Sequence, residues 1–275
     1  MAFRSNGPIT LSLPAFRGVT RRLILLALVS FFGLAVIGLI SQSLELTLLG
    51  LLALTPSLAL GHQIWQLVTY PFVGGGLLGT AFALLSVWYF GSTLEDERGG
   101  RWLLEYFLTA TVGGGVFACL LWYAGRDHVA GFAEAAGGAT MWPTVLALLL
   151  AFARFHAEEQ VRFNFIFQIK AKYLAAVYLL FYLGWALIGG NKFAAVLALA
   201  NALAGYVYLR FAPRGGLRLA VSEGWFGVRN AWYRRKRRRA AKKFTVYMRK
   251  QGKEVSLDAD GNYVEPKPTD RNWMN

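Results

Sequence analysis

Charge is scarce in this chain of 275 residues: Asp, Glu, Lys and Arg together make up 16% of it, where an ordinary soluble domain carries about 25%. Beside a 56% hydrophobic share and a positive mean hydropathy of +0.41, that scarcity excludes a water-soluble globular domain and points to a chain dissolved in a bilayer. Cysteine is nearly absent. With Cys119 alone, no intrachain disulfide, redox pair or cysteine-ligated metal site can form, and its apolar neighbours make it a small core hydrophobe. Histidine is limited to His62, His128 and His156, and no metal or cofactor is expected. Acidic residues number 15 against 29 basic ones, for a net charge of +14. More than half of the basic residues follow residue 210, so the apolar part and the most basic part are different segments.

What is present in abundance is long apolar runs. A helix that crosses about 30 Å of hydrocarbon needs about 20 mostly apolar residues, and six stretches qualify: 22–41, 74–93, 102–124, 137–155, 173–190 and 193–211. The first is longer than the apolar core of a signal peptide and no A-x-A-like site follows it, so it reads as a retained anchor. The segment 42–73, broken by Pro56, Gly61 and Pro71, reads as an interfacial or partly inserted loop whose Trp65, Tyr70 and Phe72 suit the headgroup region. Gly189-Gly190-Asn191-Lys192 forces the last two spans into an antiparallel hairpin.

Lys and Arg set the orientation. Arg4, Arg17, Arg21 and Arg22 precede the first span, Arg98 and Arg101 follow the second, and Arg154, Arg162, Lys170 and Lys172 separate the fourth from the fifth. The 42–73 loop has none, and the other two outer loops carry one each, Arg126 and Lys192. The positive-inside rule places both termini in the cytoplasm and requires an even number of spans. The fold class expected is all-α: a polytopic six-helix membrane bundle over 22–211, after a cytoplasmic segment 1–21 and before a basic cytoplasmic tail 212–275. The uncleaved anchor and the loop charges point to a bacterial inner (plasma) membrane, with an organelle membrane as the alternative. The central turns of the spans hold no charged side chain, which argues against proton pumps, ion-coupled transporters and voltage sensors.

The tail concentrates Arg234, Arg235, Lys236, Arg237, Arg238 and Arg239, then Lys242 and Lys243, among Trp225, Phe226, Trp232, Tyr233, Phe244 and Tyr247. A helix on the membrane surface, attracted by anionic lipid, fits this pattern, as does a plain topology signal or a site for a cytoplasmic partner. The charge alone also suits nucleic acid, but no recognition motif accompanies it, so no specific nucleic-acid partner is expected. Asp260-Gly261 predicts a small hairpin near the end. An EF-hand does not fit there, because the ligand spacing is wrong and no glutamate closes the loop.

Several runs carry a family resemblance. They are Gln63-Ile64-Trp65-Gln66-Leu67-Val68-Thr69-Tyr70-Pro71-Phe72, then Val87-Trp88-Tyr89-Phe90-Gly91-Ser92-Thr93-Leu94-Glu95, then Arg98-Gly99 and Gly113-Gly114-Gly115. Phe167 to Ala175 and Ala200-Asn201-Ala202-Leu203-Ala204-Gly205-Tyr206 extend them. In this order, over about 22–211, the chain resembles the rhomboid family of intramembrane proteases. The resemblance implies that fold, with Gly91, Glu95, Arg98, Gly99, Gly138 and Gly205 as structural motif positions.

It does not carry over the family's chemistry. A rhomboid protease uses a serine in Gly-x-Ser-Gly and a histidine on the sixth helix, because a hydroxyl attacks only when an imidazole accepts its proton. The matching stretch here is Gly138-Ala139-Thr140-Met141, and aligning back from Gly205 puts Ala198 in the histidine position. The chain has no histidine at all after His156. Where the family has oxyanion-binding His and Asn, this sequence has Gly79 and Ala83. Proteolytically inactive relatives, including the derlins, bind client membrane proteins. The resemblance therefore implies a pseudoprotease that binds transmembrane clients, with Trp65, Gln66, Gly74, Gly75 and Gly76 as candidate contacts. Gly74-Gly75-Gly76 and Gly113-Gly114-Gly115 permit close helix approach, whether of a client or of the protein's own helices. Two alternatives are an active serine-type endopeptidase that uses Thr140 in an atypical site, and a scaffold whose basic tail recruits lipid or a cytoplasmic partner.

Overall fold

The computed structural model describes residues 15–129, 140–163, 167–189, 191–211 and 216–252, with backbone only for 161–163, 167–168, 216–225, 227–228, 231 and 238. Gly138, the hairpin expected at Asp260-Gly261 and the side chain of Arg238 lie outside the described residues. The chain divides into two compact units, 1–216 and 217–275.

Among the described residues of the first unit, five helices are long and apolar enough to cross a membrane. They are α1 (Gly18–Ile40), α5 (Leu77–Arg98), the continuous run Gly100–Gly125, α9 (Ala171–Ile188) and α10 (Lys192–Phe211). The run Gly100–Gly125 is α6 (Gly100–Leu108), a π turn (Thr109–Gly113) and α7 (Gly114–Gly125). These runs are rich in apolar residues along most of their length, as lipid-embedded helices must be. The outward faces of α1 and α9, such as Val29, Phe32, Val36, Val177, Leu180 and Leu187, are exposed, which suits contact with lipid. The fourth expected span appears as α8 (Trp142–Phe155), 14 residues and almost wholly buried, against α5, α9 and α10.

The segment between α1 and α5 folds back on itself. α2 (Gln42–Leu52) has 11 residues, about 16 Å, too short to cross. A helix leaves its last four carbonyls without partners, and at membrane depth none can be left open. Here Leu49 O takes the Ala53 N–H (2.8 Å). The next three carbonyls are met from α4 (Gln66–Thr69) and its N-cap: Gln66 Nε2 donates to Gly50 O (2.9 Å), Trp65 Nε1 to Leu51 O (2.9 Å) and the Thr69 hydroxyl to Leu52 O (2.8 Å). The short helix α3 (Pro56–Ala59) lies between, and a 3₁₀ turn, Tyr70–Phe72, follows.

A two-stranded antiparallel hairpin, β1 (Gln160–Phe163) and β2 (Phe167–Lys170), joins α8 to α9. The sequence reading has only a basic loop there. The two four-residue strands are too short for a period-two pattern to stand out. In the second unit the described part is α11 (Gly216–Lys250) and the turn Gln251-Gly252 after it.

Candidate functional site

The motif from Gly91 to Gly99, at the end of α5, acts at the start of α1. Gly18 sits at φ 65°, a left-handed value that costs glycine nothing. The turn aims the first amides of α1 at the Glu95 carboxylate, which accepts from Val19 N (2.7 Å), Thr20 N (2.8 Å) and the Thr20 hydroxyl (2.7 Å). A carboxylate is the favoured partner for a helix N-terminus. Gly91 admits Thr20, whose hydroxyl oxygen lies 3.2 Å from where a Cβ would stand, and a side chain at Gly100 would meet Glu95. Gly99, at φ 86°, makes the bend from α5 into α6. Arg98 stacks over Phe155 at 3.9 Å, Arg17 pairs with Asp96 at 2.9 Å, and Glu97 bonds His156 at 2.6 Å. Gly91, Glu95, Arg98 and Gly99 thus fasten three helices at one end.

The other end of α5 and α8 is hollow. A cavity of about 130 Å³ opens between Ala27 of α1, the segment Pro71 to Gly76, the first turns of α5, and Thr140, Met141 and Trp142. It gathers six of the residues singled out in the sequence: Gly74, Gly75, Gly76, Gly79, Ala83 and Thr140. The glycines differ in what stands beside them. A Cβ at Gly74 would overlap Phe31, one at Gly75 would lie 3.4 Å from the Thr140 methyl, one at Gly79 would lie 3.8 Å from Trp142 Nε1, and one at Gly76 would meet open space. Among the described residues the lining holds no acid, base or imidazole. Its walls are apolar with a few hydroxyls, which suits an apolar guest and supplies no general base.

The histidines lie elsewhere: His62 and His128 are exposed, and His156 caps the far end of α8. Ala198 is not on the cavity; it is fully buried among Leu146, Tyr182, Ala195 and Ala202. Gln66 is wholly buried and its amide is used inside the loop, while Trp65 keeps its ring half exposed. Gly113 and Gly114 serve the protein's own packing, since side chains there would meet Ala204 and Asn201 of α10. Gly205 likewise admits Tyr106, whose hydroxyl bonds Ala147 O. On α11 the side chains of Arg234, Arg235, Lys236, Arg237 and Arg239 are exposed.

Sequence reasoning missed a buried polar cluster one turn below Thr140. Asn201, Tyr70, Thr111 and Thr144 are each fully buried. The Asn201 amide accepts from the Tyr70 hydroxyl (2.7 Å) and donates to the carbonyls of Ala110 (3.2 Å) and Leu197 (3.3 Å), and the two threonine hydroxyls lie 3.4 Å apart beside it. The signal was Asn201 itself, an amide in mid-span, expensive there unless bonded. A search limited to charged side chains passes over it.

Residues 22–223 match the family described as "Eukaryotic integral membrane protein (DUF1751)". No curated protein matches the chain. The family match overturns the bacterial inner membrane expected from the sequence. An uncleaved anchor and an asymmetry of Lys and Arg fix which way a chain faces, not whose membrane it faces.

Proposed function

Because the chain belongs to the eukaryotic integral membrane protein family (DUF1751) that its residues 22–223 match, we propose that it is a rhomboid-like pseudoprotease that receives transmembrane segments of client proteins and does not cut them. In this reading α8 and the residues ahead of it complete six spans over 22–211. Both termini, with the segments 1–21 and 212–275, face the cytoplasm. The observation that carries the reading is the cavity: the glycine run and Thr140 meet there, among the described residues, without any group that could take a proton from the Thr140 hydroxyl. The Trp65 ring offers a further apolar contact. The tail is a second surface, for anionic lipid or a cytoplasmic partner, favoured by the exposed basic and aromatic side chains of α11.

The test uses purified protein in liposomes with a panel of single-span substrates, comparing wild type with Thr140→Ala. Wild type is expected to release no cleavage product, and a photo-reactive residue at position 76 to cross-link a client. Gly79→Leu, which fills the cavity, is expected to abolish that cross-link. Cleavage by wild type that Thr140→Ala removes would replace the reading with an active endopeptidase. A cross-link that survives Gly79→Leu would move the client away from the cavity.

A further inference from the structure

α11 carries a pattern that the client-binding reading does not use. Between Gly224 and Lys250 it has eleven Lys and Arg side chains and no Asp or Glu. Phe226, Tyr233, Phe244 and Tyr247 follow one another at spacings of seven, eleven and three residues. At 3.6 residues per turn these are about two, three and one turns, so the four rings form one strip along the helix, with Ala240 within it. All four are exposed. Cations edge the strip: Arg229 lies 4.8 Å over the Phe226 ring, and Lys236 lies 5.4 Å over Trp232. Arg235 and Lys242 stand on the opposite side, about half a turn away from Tyr233 and Ala240 respectively.

Two coverings could satisfy an aromatic strip. A second copy of the helix would have to bury Arg237 and Gln251, which share the strip with Phe244 at spacings of seven, and would bring two runs of like charge together. An anionic bilayer surface needs neither. The rings sink to the headgroup level while Arg229, Lys236 and Arg237 extend their heads to the phosphates. The chain also tethers the helix to the bilayer, since only four residues separate Phe211, the end of α10, from Gly216, a reach of at most about 18 Å. We infer that α11 is an in-plane membrane helix that reads the anionic charge of its own bilayer, with the Phe226–Tyr233–Phe244–Tyr247 strip inserted and the Arg235–Lys242 side in water.

The test uses the full chain in proteoliposomes of phosphatidylcholine, with and without phosphatidylserine. In a Cys119→Ala background a nitroxide is placed at Ala240→Cys, on the strip, or at Lys242→Cys, opposite it. With phosphatidylserine the label at 240 is expected to be shielded from a water-soluble nickel chelate and the label at 242 to stay accessible; without it both stay accessible. Arg229→Gln, Lys236→Gln and Arg237→Gln are each expected to lower the bound-to-free ratio of the helix by about fivefold, and Arg235→Gln, on the water side, to lower it less. Trypsin cutting of the unlabelled wild-type tail, slowed only in the anionic vesicles, gives the same answer without any substitution. Equal exposure of both labels in anionic vesicles, with trypsin rates unchanged, would overturn the inference. So would shielding that needs added RNA or a protein in place of phosphatidylserine. Neither readout involves a client, so failure here leaves the cavity reading standing.

Discussion

At one end of α5 and α8 every element is fastened by charge: Glu95 holds the amides of α1, Arg17 holds Asp96, and Glu97 holds His156. At the other end the same two helices splay around a cavity whose walls are glycine, threonine and hydrocarbon. The contrast follows from solvent. Carboxylates and guanidinium groups stay charged only near water, so they can tie a bundle together at its rim. At depth, closeness must come from small residues and neutral hydrogen bonds, and where glycines have no partner side chain a hollow remains. The tied end therefore fixes the helices to one another, and the hollow end is where the proposed function is placed.

Four measurements break or sharpen this contrast. The largest effect is expected at the tied end. Glu95→Ala removes a charged acceptor from three donors and should lower the unfolding free energy in detergent by about 3 kcal/mol, with Glu95→Gln recovering part of the loss. A change below about 0.5 kcal/mol would mean that water replaces the carboxylate freely. Next comes Asn201→Leu, which takes from the Tyr70 hydroxyl its nearest acceptor and from the Ala110 and Leu197 carbonyls a second donor, and should cost about 2 kcal/mol in the same assay. At the hollow end, Gly74→Ala drives a methyl into Phe31 and should cost about 1 to 2 kcal/mol. Gly76→Ala projects into open space and should change stability by less than about 0.5 kcal/mol; equal costs for the two would mean that the cavity is not hollow. The smallest effect concerns Glu158, whose carboxyl is held down at about 2 by hydrogen bonds from Lys170 and Lys172. With the folded value depressed from 4.5, its contribution is present above that range and is lost as pH falls toward about 2. Glu158→Gln should leave the melting temperature at pH 7 nearly unchanged and remove a small part of its acid dependence.

The spans were legible because an apolar run states its own length: 22–41 was expected and Gly18–Ile40 is found, and 193–211 answers to Lys192–Phe211. The offset at the start of α1 has a cause no local window contains. Its first turn passes through Gly18 and Arg21 because Glu95, 76 residues from Val19, supplies the cap. Thr140 stands out only through the family resemblance, and the glycine run permits close approach of the protein's own helices as readily as of a client. Ala198 was matched by counting from Gly205, and the structure sets it one turn of α10 away from Asn201 and off the cavity. The structural duty of Trp65 and Gln66 is hidden in the sequence, because the α2 carbonyls they meet become neighbours only when the loop folds back.

The π turn at Thr109–Gly113 acts as a change of phase within one span. By holding one more residue than an α turn, it rotates everything after it by about 100° relative to a regular helix. Ahead of it, Trp102, Tyr106 and Phe107 point inward; after it, Gly114 comes round to face Asn201. A deletion of one residue among 109–113 would therefore behave like turning a key: residues 114–125 would revolve together, present side chains in place of Gly114 to α10, and close the path by which Asn201 reaches the Ala110 carbonyl.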